Sequence, residues 1–185
     1  MPHRIHILGP SGAGTTTLGE SLADRLNITH LDTDAFYWMP TAIPFTQKRP
    51  VPDRLAMLRD ACSNDDQWVL SGSLCSWGDP LVPMFTHVVF LYIPWDVRKQ
   101  RLTLREHQRY GAGSLRPGGE MHDIHAAFMQ WASRYDHAGL EQRSYTTHEH
   151  WLNQLPDKCQ TLRIEHPLPL DTLTDQVEQW IKTTM

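Results

Sequence analysis

Residues 9–16 read Gly-Pro-Ser-Gly-Ala-Gly-Thr-Thr, and Thr17 follows. Their spacing matches the phosphate-binding loop pattern G-x-x-x-x-G-K-[ST] at every fixed position but one, where Thr15 stands in place of the lysine. Gly9, Gly12 and Gly14 allow the backbone N–H groups of the loop, Ser11 and Ala13 among them, to converge on phosphate oxygens. A helix opening at Thr15, Thr16 and Thr17 adds the positive end of its dipole, and the Thr16 hydroxyl is placed to ligate Mg²⁺. A lysine here would reach the β- and γ-phosphates. Losing a charged hydrogen bond of roughly 1.5–3 kcal/mol weakens binding about tenfold to a hundredfold unless another cation substitutes. Lys48, Arg49, Arg105 and Arg109 are the candidates, and an arginine from a mobile flap is the expected substitute.

Other residues have chemistry-bearing spacings. Asp32 and Asp34 stand two apart. Beside a phosphate loop, one carboxylate can hold a water of Mg²⁺ while the other orients or deprotonates an attacking hydroxyl; a helix N-cap is the alternative. Ser71-Gly72-Ser73 ends a strand without an acid, which leaves Asp32 as the better metal carboxylate, and Gly72 leaves room for a substrate to approach the backbone. Arg98, Arg101, Arg105 and Arg109 fall at i, i+3, i+7 and i+11 and predict one stripe on a helix that leads into a glycine-rich loop, the form of a lid. Phe36, Tyr37, Trp38, Met39 and Trp77 are an aromatic and apolar set suited either to stacking on a base or to the core. His122 with His125, and His148 with His150, lack a further ligand at metal spacing and read as surface histidines.

These residues need a scaffold, and the pattern predicts one. Residues 4–8 form a short apolar strand directly before the loop, and Leu18, Leu22 and Leu26 stripe the helix after it. Further strands are expected at 28–31, 67–70, 87–93 and 161–164, and helices at 53–62, 96–109, 121–135 and 170–182. Residues 110–119 hold four glycines and a proline and read as a loop. Repeated strand–helix alternation argues for a parallel sheet with helices on both faces, whose ligands bind beyond the carboxyl ends of the strands.

At 185 residues the chain is one domain with room for a full core. A net charge of −4 argues against broad nucleic-acid binding. No apolar run approaches the roughly 20 residues that cross a bilayer, and with a strand expected so close to the first residue, no signal peptide is expected. Cys62, Cys75 and Cys159 lack CxxC spacing and suggest reduced thiols in the cytoplasm.

The loop, the Asp-x-Asp after the second strand, the glycine turn after the third, the arginine helix and Arg134-Tyr135 together resemble shikimate kinase and its relatives among nucleoside monophosphate kinase-like proteins. The 30–38 segment also looks like adenylate kinase-like proteins described as DNA topology modulation proteins. The Gly-Thr-Thr-Thr at 14–17 is similar to that of bacterial P-loop proteins described as AAA-family ATPases or adenylate kinases. The resemblance implies an α/β P-loop NTPase fold with a five-stranded parallel sheet and an arginine-bearing lid near 105–120, plus a substrate-side insertion near 34–64. It implies ATP and Mg²⁺, with Asp32 supporting the metal, Asp34 at the acceptor hydroxyl, Arg105 and Arg109 on the phosphates, Arg101 near adenine and Arg134 on the acceptor. The expected activity is phosphoryl transfer to a small-molecule or nucleotide acceptor by a monomer or homodimer. Thr15 keeps a nucleotide-binding regulator of weak activity, or a slow NTPase, as the alternative.

Overall fold

The computed structural model describes residues 2–184. Its five strands are β1 (Arg4–Leu8), β2 (Thr29–Asp32), β3 (Trp68–Ser71), β4 (His87–Leu91) and β5 (Gln160–Ile164). They pair in the order β2-β3-β1-β4-β5, every pair parallel. The order leaves β1 between β3 and β4, so the chain turns outward in opposite senses on its two sides. That is the switch point at which a doubly wound sheet opens a crevice.

Both faces of the sheet are covered, and the inner strands show it by alternation. Ile5, Ile7, Val69, Val89 and Leu91 point to one side, where Leu18 and Leu22 of α1 (Thr15–Leu26) meet Val177 and Ile181 of α7 (Leu170–Thr183). Leu8, Trp68, Leu70, Val88 and Phe90 point to the other, against Leu58 of α3 (Val51–Asn64) and Trp151 of α6 (Tyr145–Leu152). His6 occupies an inward position on that second face. Its ring stacks on Phe85 at 5.0 Å, and its Nδ1 lies 3.0 Å from the Leu70 carbonyl oxygen. Complete burial pushes its pKa down to about 4.

The remaining helices are α2 (Thr33–Tyr37), α4 (Trp95–Leu115) and α5 (His122–Ser133). Several elements depart from what the sequence predicts, the short α2 among them. The helix expected at 96–109 continues to Leu115 through a kink at Gly111, whose φ of 75° and ψ of 153° are not helical. Burial of Leu115 and Met121, with the Met121 N–H donating to the Ser114 carbonyl, outweighs the poor helix propensity of 111–114. The helix expected at 121–135 tightens after Ser133 into a 3-10 turn over Arg134–Asp136. Helix α6 was not expected; Ser144 caps it by accepting from the Thr147 N–H, and His148, Trp151 and Leu152 form its buried face.

Candidate active site

The loop expected to hold phosphate runs from β1 to α1 at the switch point. Gly9 is required by proximity, since a Cβ there would lie 2.3 Å from the Leu91 carbonyl oxygen on β4. Gly14 has φ 98° and caps α1 from the left-handed region, which turns the first N–H groups of the helix into the loop. Thr15 opens the helix and offers no charge.

Thr16 Oγ1 donates to Asp32 Oδ2 at 2.9 Å, and the Asp34 N–H donates to Asp32 Oδ1 at 2.9 Å. Asp32 is therefore the helix N-cap that the sequence offered as one reading. It caps α2 and sits against the loop hydroxyl. A hydroxyl and a carboxylate in contact at the mouth of a phosphate loop fit Mg²⁺, which is held by few protein oxygens and keeps its waters.

Gly72 has a different use from the expected one. With φ 104°, it has no free space: a Cβ would lie 1.9 Å from the buried Thr33 Oγ1. The gap admits α2, which carries Asp34, and no substrate. Ser71 is buried and pairs with His30 Nε2 at 2.9 Å.

Beyond the loop lies a cavity of about 620 Å³. Ser11 is the P-loop residue in its wall, and Asp34 and Arg143 stand beside it. Asp34 is exposed on the open side of this cavity, but desolvation by the surrounding wall raises its carboxyl pKa, Asp32 adds to the rise, and Arg143 opposes it. Arg143 Nη2 donates to Ser11 Oγ at 2.7 Å, and its guanidinium lies 4.9 Å from the Trp131 ring centroid. Desolvation lowers the Arg143 pKa and Asp34 opposes that shift. Tyr37, Trp38 and Trp77 line the cavity, whereas Phe36 is core and Met39 Sδ is met by Arg49.

The expected arginine stripe divides in two. Arg98 lies on the inward face of α4 with Leu102 and Glu106. It is fully buried, donating to the Ile93 and Ala132 carbonyls and to Asp136 Oδ2 at 3.0 Å, so it ties α4 to α5. Arg101, Arg105 and Arg109 follow the adjacent stripe. Arg101 Nη1 donates to the Ala13 carbonyl at 3.1 Å, beside the loop. Arg105 and Arg109 line the cavity and share the buried Glu106, whose Oε1 is 2.8 Å from Arg105 Nη2 and 3.6 Å from Arg109 Nη1. Arg109 also lies 4.8 Å from the Phe45 ring centroid. Arg49 donates to the Phe36 and Trp38 carbonyls, which holds it outside the cavity wall.

Arg134 is not brought to the site. The 3-10 turn directs Tyr135 inward and leaves Arg134 at the surface, paired with Glu141 at 3.2 Å. Arg143 occupies the wall instead. Its signal was a second arginine followed closely by a tyrosine, Arg143-Ser144-Tyr145, just before α6. His148 corrects the reading of surface histidines. It is fully buried, 2.6 Å from the Tyr135 hydroxyl through Nδ1 and 3.2 Å from Ser73 Oγ through Nε2, and burial keeps it neutral by lowering its pKa. His125 lines the cavity, while His122 pairs with Asp123 and His150 is exposed. Among the described residues, no three His, Cys, Asp or Glu side chains cluster for a metal, and no helix is long and apolar enough to cross a membrane.

No protein-family model matches the chain. The uncharacterized protein YqaC of Bacillus subtilis (strain 168) is 45% identical over 183 residues, 99% of each chain. A cytidylate kinase of Haloarcula marismortui is 29% identical over 118 residues, 57% of this chain and 60% of that protein. Among solved structures, shikimate kinase from Acinetobacter baumannii superposes with a TM-score of 0.58 at 18% identity, covering 99% of this chain and 94% of that one. Shikimate kinase from Bacteroides thetaiotaomicron gives 0.55 at 18% identity, covering 97% and 98%. The chain belongs to the family of YqaC, and its fold is the P-loop NTPase fold of the shikimate kinases.

Proposed function

We propose that this chain is an ATP·Mg²⁺-dependent phosphotransferase that acts on a small-molecule or nucleotide acceptor, in the cytoplasm. The observation that carries the reading is the meeting of two half-sites. A phosphate loop with its Thr16–Asp32 pair opens through Ser11 onto a solvent-open cavity whose wall includes Asp34.

The division of labour follows from the chain's own groups. The loop backbone from Gly9 to Thr17, with Ser11, Gly12, Ala13 and Gly14, holds the phosphates, and Arg101 lies beside it. Thr16 and Asp32 hold Mg²⁺, which when bound neutralises phosphate charge. Asp34 accepts the proton of the acceptor hydroxyl; its raised pKa makes it a better proton acceptor than an ordinary aspartate, provided it is ionised. Residues 105–120 act as a lid and 34–64 as the acceptor-side insertion, and the Arg109–Phe45 contact joins the two. The aromatic wall favours a planar acceptor over a polyol. In the alternative, the chain binds nucleotide and turns it over slowly or not at all; Thr15, and the pairing of both lid arginines with Glu106, favour that reading.

Thermal shift with ADP, ATP and GTP, each with and without Mg²⁺, tests the shared part of both readings. A ligand at 100 times its Kd adds about 2.7 kcal/mol, a rise of roughly 5–10 °C for a chain of this size. No shift with any nucleotide refutes both.

A further inference from the structure

Thr15 leaves the transferring phosphoryl without its usual cation, and four cations line the cavity: Lys48, Arg105, Arg109 and Arg143. Their surroundings differ. Arg105 and Arg109 share the carboxylate of Glu106. Lys48 lies over the Tyr37 ring, 5.9 Å from its centroid, on the insertion. Arg143 alone among them bonds the P-loop, through Ser11 Oγ at 2.7 Å, and it faces Asp34 across the same wall. A phosphoryl group passing from the loop to an acceptor at Asp34 must cross the place where Ser11, Arg143 and Asp34 meet.

We infer that Arg143 supplies, from the loop before α6, the positive charge that the P-loop lysine supplies elsewhere. The inference rests on the proposed nucleotide site. In the transfer step, the acceptor oxygen forms a bond to the γ-phosphorus. The bond from that phosphorus to the β,γ-bridging oxygen breaks, and its electron pair leaves with ADP. The hydroxyl proton passes to Asp34. Arg143 gains and loses nothing; its N–H donors, now on Ser11, turn to the peripheral γ-oxygens, where arginine matches phosphate geometry. An arginine cannot deliver a proton by mistake in this position, because it stays charged throughout. The assignment also explains how a loop without lysine coexists with an intact Thr16–Asp32 pair: the charge enters from the acceptor side and so acts on the γ-phosphate more than on the β.

The test is calorimetry with Mg²⁺ and either ADP or the non-hydrolysable ATP analogue AMP-PNP. Arg143→Ala is expected to weaken AMP-PNP about tenfold to a hundredfold while changing ADP less than about threefold. Arg143→Lys should recover part of the loss. Thr15→Lys placed in the Arg143→Ala chain should restore AMP-PNP binding by returning the charge to the loop. Melting temperatures of the variants separate a binding loss from unfolding, and because ADP binding reports a folded loop, equal loss of both ligands overturns the inference. It is also overturned if Arg143→Ala binds AMP-PNP as the wild type does, if Thr15→Lys restores nothing, or if Arg105→Ala or Arg109→Ala shows the γ-selective loss in its place. If the wild-type chain binds neither ligand, the nucleotide site itself is refuted, and the inference falls with it.

Discussion

Asp32 carries two loads that substitution can separate. Its Oδ1 accepts the Asp34 N–H and caps α2, while its Oδ2 accepts the Thr16 hydroxyl at the proposed metal position, each at 2.9 Å. Asparagine is as good an N-cap as aspartate, whereas alanine forfeits about 1 kcal/mol. For a chain of 185 residues, that cost lowers Tm by roughly 2–4 °C. Asp32→Asn is therefore expected to melt within about 1 °C of the wild type, and Asp32→Ala a few degrees lower. Both lose the carboxylate proposed to support Mg²⁺, a charged interaction of roughly 1.5–3 kcal/mol. The gain in ADP affinity on adding Mg²⁺ should thus shrink about tenfold or more in both variants, with metal-free ADP binding unchanged. Scanning calorimetry and titration calorimetry with and without EDTA read the two effects independently. If Asp32→Asn keeps the full Mg²⁺ effect, Asp32 is a helix cap and nothing more, and the metal site is wrongly placed.

Two other perturbations bear on how the site is held. Gly72→Ala puts a methyl group against Thr33 Oγ1 at a φ of 104°, so it should cost at least 1–3 kcal/mol, and its largest effect should be on acceptor-dependent turnover because α2 carries Asp34; unaltered Tm and turnover would contradict the packing argument. The His6 imidazole has its pKa lowered from 6.5 to about 4 by burial. As pH falls through 6.5 the unfolded chain takes up this proton while the native chain resists until near 4, so stability present above pH 6.5 is lost across that window, up to about 3 kcal/mol. Urea unfolding of the wild type and His6→Gln between pH 7 and pH 4 should show a flatter acid limb for the variant, and parallel curves would refute this role.

The legible parts of this chain are those whose meaning is local. The loop at 9–16, the stripe of Leu18 and Leu22, and the apolar runs of β1 and β4 carry their own geometry in their spacing, so the parallel sheet follows from sequence, while its strand order does not. Asp32 could be placed because it ends a strand beside that loop, with Asp34 two residues on in α2. What escaped depends on contacts distant in the chain. Arg98 and Arg101 are three residues apart, yet one ties down α5 and the other meets the P-loop, because the inward face of α4 is set by packing. Arg134 misses its expected place, and Arg143, which the sequence did not single out, lines the cavity instead, because the end of α5 tightens into a 3-10 turn that spacing does not reveal. His148 read as surface since its neighbours are polar, and its partners Tyr135 and Ser73 are 13 and 75 residues away.

The claim that this fold transfers phosphoryl groups is tested most directly by ADP release from ATP·Mg²⁺ against a panel of nucleoside monophosphates and hydroxylated metabolites, with the wild-type and Asp34→Asn chains side by side. The account predicts that one class of acceptor accelerates ADP release by the wild type and appears as the phosphorylated product. It predicts that Asp34→Asn binds ATP normally and loses most of that acceleration, about a hundredfold or more for a general base. Tight ATP binding with ADP release that no acceptor changes, or an Asp34→Asn chain as active as the wild type, would contradict it.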